Sequence, residues 1–193
     1  AGVKITGVIN DNYTFSLAHY QTIMDTPSAV LTIDPSLPGM VAQDLTYETE
    51  QVTGGSLCFY EPHIDSIIRA EVGYFWDEPI FIPEINLPAL YGNFVNGEIP
   101  TTNVLRYMVG FDKKMWLRFL NDTSMFSFYL QYFGEYYTNY DDRQKMPVNK
   151  YPTGEFIDQN RYADKVTLVS STTYMSGTLT PQVALVYDPR GAF

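Results

Sequence analysis

Cysteine is almost absent. Cys58 is the only one in 193 residues, so no internal disulfide framework can form. It shares parity with Ser56 and Tyr60, which suits a small packed side chain and not a nucleophile. Histidine is nearly as scarce. His19 and His63 each lack a second histidine on the same element, which argues against a zinc site. Basic residues number 12 against 22 acidic ones, a net charge of −10, so nucleic acid is not an expected partner. No apolar run approaches the roughly 18 residues of a transmembrane helix. There is no Gly-x-Ser-x-Gly elbow, no His-Glu-x-x-His pair and no glycine loop to cradle phosphate. These absences point away from an enzyme, and no cofactor is expected.

Aromatic residues are plentiful: 16 Tyr and 12 Phe against 2 Trp, the bias of pleated, half-exposed strands. Period-two alternation runs through the chain. Ile68, Ala70, Val72, Tyr74 and Trp76 alternate with Ile67, Arg69, Glu71, Gly73 and Phe75. Leu105, Tyr107, Val109 and Phe111 alternate with Arg106, Met108, Gly110 and Asp112. Phe126, Phe128, Leu130 and Tyr132 alternate with Ser127, Tyr129, Gln131 and Phe133. Similar patterns begin at Val3 and Tyr13 and end at Tyr187. Residues 45–61 read as one long strand bent or bulged at Gly54-Gly55. Residues 165–175 read as a Ser/Thr-rich strand of uncertain facing.

The connections alternate too. Residues 10–12, 62–65 and 176–178 are tight turns, and 113–124 is intermediate. Residues 24–44, 77–103 and 138–161 are long. The second long loop carries Phe81, Leu90, Tyr91 and Phe94, which suggests that it folds back. Short turns on one side and long loops on the other are the layout of an outer-membrane barrel. The expected fold is therefore all-β: a single-domain, antiparallel, up-and-down transmembrane β-barrel of about eight strands. With short turns periplasmic, the first strand starts outside and the last finishes outside. Complete barrels normally begin and end in the periplasm, so the expectation is part of a larger barrel.

A charge on a lipid-facing strand position costs about 2–4 kcal/mol near the bilayer midplane. Arg69, Glu71, Arg106, Asp112, Gln131 and Glu135 are thus expected to face the lumen. Val72, Tyr74, Trp76, Tyr107, Val109, Phe126, Phe128, Leu130 and Tyr132 are expected to face lipid or its boundary, with Trp116 in an interfacial turn. Tyr136 and Tyr137 read as further boundary aromatics. Asp141, Asp142, Glu155 and Asp158 crowd the third long loop as weak calcium candidates, but without a calcium-loop spacing. A solvated acidic loop is the simpler reading, and no metal is expected.

The stretch from Gly54-Gly55-Ser56 through Tyr60-Glu61-Pro62, Asp65-Ser66, Arg69-Ala70-Glu71 and Tyr74 resembles a known proteobacterial outer-membrane β-barrel family of unknown function (domain of unknown function thirteen-oh-two). So do Gly110-Phe111-Asp112, Trp116-Leu117-Arg118-Phe119-Leu120-Asn121 and the closing Tyr187-Asp188-Pro189-Arg190-Gly191. Where an Asp-Arg-Pro turn is expected from the family, the chain has Asp112-Lys113-Lys114. The resemblance implies a longer outer-membrane barrel that handles hydrophobic molecules beside efflux-type exporters. The partners it implies are the bilayer, lipopolysaccharide and export components of the outer membrane or periplasm. The expected function is a porin-like channel or exporter in the bacterial outer membrane, selecting small or hydrophobic molecules by lumen shape and charge. The alternatives are a non-conducting barrel scaffold that holds a partner protein and a secreted soluble β-sandwich that binds ligand.

Overall fold

The computed structural model describes residues 1–25, 28–33, 41–80, 82, 94–95, 99–150 and 155–189. Eight long strands form one antiparallel sheet. They are β1 (Gly2–Ile9), β2 (Tyr13–Ile23), β5 (Thr49–Glu61), β6 (Ser66–Pro79), β8 (Thr101–Met115), β9 (Phe126–Tyr137), β12 (Tyr162–Ser171) and β13 (Gln182–Tyr187). Their order in the sheet is their order in the chain, an up-and-down meander. Every short connection therefore lies at one end of the sheet and every long one at the other. Among the described residues β1 and β13 do not pair, so the sheet is open.

The long connections hold structure of their own. β3 (Ser28–Ile33) and β4 (Val41–Thr46) form a hairpin, and β7 (Phe94–Val95) pairs with β3 in parallel. β10 (Lys145–Lys150) and β11 (Glu155–Asp158) form another hairpin between β9 and β12. Phe81, Leu90 and Tyr91 lie outside the described residues.

Several strand expectations need correction. Residues 45–61 split into the end of β4 and all of β5, and β5 passes through Gly54-Gly55 in unbroken register. The bulge sits in β6 instead. Trp76 and Asp77 both oppose Asn103, between the pairs Phe75–Val104 and Glu78–Thr102, and Asp77 has φ +54°. The 165–175 strand stops at Ser171, and a short 3-10 turn at Met175–Gly177 leads toward β13. Asp112-Lys113-Lys114 is no turn; it continues β8 to Met115.

The register gives the sheet two unlike faces. One row crosses all eight strands: Ile9, Tyr13, Phe59, Ile68, Phe111, Leu130, Leu168 and Leu185. The next row on that face is Gly7, Phe15, Leu57, Ala70, Val109, Tyr132, Val166 and Tyr187. Two cross-strand pairs on this face set a ring over a glycine. A Cβ at Gly7 would fall 2.5 Å from Phe15 Cζ, and a Cβ at Gly134 would collide with the Tyr107 ring. Only a bare backbone lets those rings lie flat on the sheet.

The apolar face is the exposed one, and the buried core lies on the charged side. On the apolar face Leu17 is 60% exposed, Leu185 58% and Val72 48%. The buried hydrophobic residues of the long strands, Val52, Val104, Met108, Tyr137 and Ala163, all lie on the other face. With buried Ile80, Ile82, Gln144 and Gln159 from the long connections, they place the core at the loop end of the sheet.

Candidate functional site

The second face carries the charges. In register it presents Arg69, Glu71, Arg106, Asp112, Gln131 and Glu135, all six lumen candidates. Arg69 Nη2 donates to Asp112 Oδ1 at 2.8 Å. Arg106 Nε donates to Glu135 Oε2 at 2.7 Å, and its Nη1 and Nη2 clasp Glu78 at 2.7 Å each. The Arg106 guanidinium also lies 4.5 Å from the centroid of the Phe75 ring. Gln131 accepts from Thr167 at 3.3 Å, and Glu71 sits between Ser56 and Met108 without an ion-pair partner among the described residues. These pairs are half-buried, so their attraction is screened less than that of a surface pair, and partial desolvation offsets some of the gain.

Glu78 escapes a reading by parity. Simple alternation sets it beside Trp76 on the apolar face. The bulge at Asp77 inserts one residue and turns Glu78 to Arg106. The signal in the sequence is an Asp, which tolerates positive φ, between a Trp and a Glu that cannot share a face.

From Glu135 a chain of donors climbs into the third long connection. Tyr137 donates to Glu135 Oε1, Gln159 Nε2 to the Tyr137 hydroxyl, and Gln144 Nε2 to Gln159 Oε1 at 3.2 Å. Gln144 is 2% exposed. Tyr137 is thus no boundary ring: its parity puts it on the charged face, buried beneath the loop.

The boundary candidates Val72, Tyr74, Trp76, Tyr107, Val109, Phe126, Phe128, Leu130 and Tyr132 all fall on the apolar face. Tyr74 and Trp76 meet edge-on at 4.5 Å between centroids. The hydroxyls of Tyr107 and Tyr132 both meet that of Tyr162, and the Arg161 guanidinium lies 5.2 Å from the Tyr136 centroid. Charged groups also fall on this face. Lys113 reaches past the strand to donate to the Ile64 carbonyl at 2.7 Å, and Asp164 stands in the row of Val72, Tyr107 and Gly134.

At the turn end, Trp116 follows β8 and has the Arg118 guanidinium 5.7 Å from its ring centroid. Asn121 ties this turn to the next. It is 3% exposed, donates to Thr172 Oγ1 and the Thr173 carbonyl at 2.9 Å, and accepts from Thr123 and Ser124. Phe119 and Met175, at the tips of the two joined turns, are 82% and 74% exposed.

The remaining candidates are dispersed. His19 Nδ1 meets Thr53 Oγ1 at 2.8 Å within the sheet, and His63 Nδ1 meets Glu61 at 2.6 Å in a turn. Cys58 is half-buried, opposite Thr14 and Arg69. Asp141 is held by Arg143, whose guanidinium and backbone amide keep its carboxyl below the usual range. Asp158 pairs with Lys145. The Glu155 side chain lies outside the described residues, and among those described no group of three or more metal-ligating side chains forms.

No helix among the described residues is long and apolar enough to cross a membrane, which says nothing of strands. Comparison of the chain with protein-family models, with curated proteins and with solved structures returns no match.

Proposed function

We propose that this sheet is part of the wall of a transmembrane β-barrel in a bacterial outer membrane, of the kind its sequence resembles. In this reading the apolar face meets lipid and lipopolysaccharide. The charged face lines an aqueous passage for small or hydrophobic molecules, and selection is by shape and charge without chemistry. The observation that carries it is the inversion of burial: apolar rows exposed, charges half-buried and paired. Two rows cross all eight strands and the two beyond them end at β12, so six to seven strand spacings of about 4.8 Å and four rows about 20 Å tall give this face an area on the order of 600–700 Å². That is at or above the largest patch of a typical soluble monomer, about 300–600 Å². A soluble sandwich would cover this face with a second sheet, and none does so among the described residues.

The test is membrane assembly of Val72→Arg beside Glu71→Arg. Val72→Arg is expected to lose about 2–4 kcal/mol of bilayer stability, while Glu71→Arg assembles normally. A protein that stays monodisperse without detergent, or a Val72→Arg variant that assembles like the parent, overturns the membrane reading. Conductance in planar bilayers then separates two roles. The loop-end core over the charged face favours a second reading, a closed scaffold, which would assemble yet remain electrically silent.

A further inference from the structure

A pocket of about 300 Å³ opens on the charged face at the turn end of the sheet. That is the low end of the volumes that hold small molecules. Its floor is one cross-strand row: Tyr60, Ile67, Asp112 and Tyr129. The outer two are tyrosines on strands three spacings apart, about 14 Å. Rings therefore bound the pocket on two sides, with Ile67 between them.

The charges in and around this pocket are nearly all committed. The Tyr60 hydroxyl donates to Asp65 at 2.6 Å. Arg69 holds Asp112 at 2.8 Å, and the Lys113 ammonium is spent on the Ile64 carbonyl. Lys114, next along β8 on the pocket's own face and opposite Ser127, has no hydrogen-bond or ion-pair partner among the described residues. The charged residues that line the pocket balance, Lys113 and Lys114 against Asp65 and Asp112, but Asp112 is already held by Arg69, which leaves the Lys114 ammonium as the open charge.

We infer that this pocket binds a small aromatic monocarboxylate, its ring between Tyr60 and Tyr129 and its carboxylate on the Lys114 ammonium. Ring burial and one charge-assisted contact predict weak, millimolar affinity that falls as salt rises. Binding requires only that the charged face be reached by solvent. A role as a permeant subsite rests in addition on the channel reading.

The experiment is calorimetric titration of the folded chain with benzoate, benzyl alcohol and benzylamine. Benzoate should bind, and the neutral and cationic analogues should not. Lys114→Gln should weaken benzoate by about tenfold, the worth of one charge-assisted bond. Lys114→Arg should retain it, and Lys165→Gln, on the same face but outside the pocket, should leave it unchanged. The inference fails if benzoate does not bind, if all three analogues bind alike, or if Lys114→Gln binds as the parent does. Benzoate binding to a chain that needs no detergent would keep the site and overturn the membrane reading. Benzoate binding to an assembled but non-conducting barrel would keep the site and remove the channel.

Discussion

Arg106 and Glu78 meet in a two-armed ion pair, Nη1 to Oε2 and Nη2 to Oε1, both at 2.7 Å. The pair exists because the chain gains one residue at Asp77, whose φ of +54° closes the bulge. A β-branched residue pays about 1–2 kcal/mol for that backbone, and glycine pays no steric penalty. Asp77→Val is therefore expected to lower stability by about this amount, and Asp77→Gly to leave it nearly unchanged. Denaturant midpoints of the two variants in the same detergent measure the difference. Equal midpoints would mean that the positive φ does not matter.

Gly134 and Tyr107 make a comparable argument on the apolar face. The ring occupies the space in which a Cβ at 134 would stand. Gly134→Ala should displace Tyr107, break its hydroxyl contact with Tyr162 (2.9 Å), and cost about 1–3 kcal/mol. Tyr107→Ala should relieve that strain, so the double variant should lose less than the sum of the two singles. Simple additivity would contradict the overlap.

Asn121 joins two neighbouring turns through both ends of its amide. Asn121→Ala removes two donated bonds and leaves buried Thr172 and the amides of 123 and 124 short of partners. A loss of about 2–4 kcal/mol is expected. Limited proteolysis should cut faster within 172–181, a segment remote in sequence from the substitution. Faster cleavage confined to 116–125 would show that Asn121 serves only its own turn.

Much of this was legible in the chain because period two is a strong signal when a strand has one apolar side. The six charged or amide candidates and the nine strand-borne apolar candidates fall on opposite faces as their parity implies. What was hidden depends on count rather than composition. One extra residue at Asp77 moves Glu78 across the sheet, and the sign of it in the chain is local: an Asp between a Trp and a Glu that cannot share a face. Tyr137 lies one residue from Tyr136, and that single step carries it from the apolar face to the core. Gln144 and Gln159 come from a connection whose partners are set by tertiary packing. Gly54-Gly55 invites a bend, yet both glycines keep the register, giving close approach to the Val72 carbonyl and to Leu17.

Leu130 and Gln131 are adjacent in β9 and point to opposite faces, so one pair of labels reports which face meets lipid. Spin labels at Leu130→Cys and Gln131→Cys, in a Cys58→Ser background and in lipid bilayers, would be relaxed by oxygen, which concentrates in lipid, or by a water-soluble nickel chelate. The prediction is that oxygen dominates at 130 and the chelate at 131. Chelate access at 130 equal to or greater than at 131 would contradict the assignment of lipid to the apolar face.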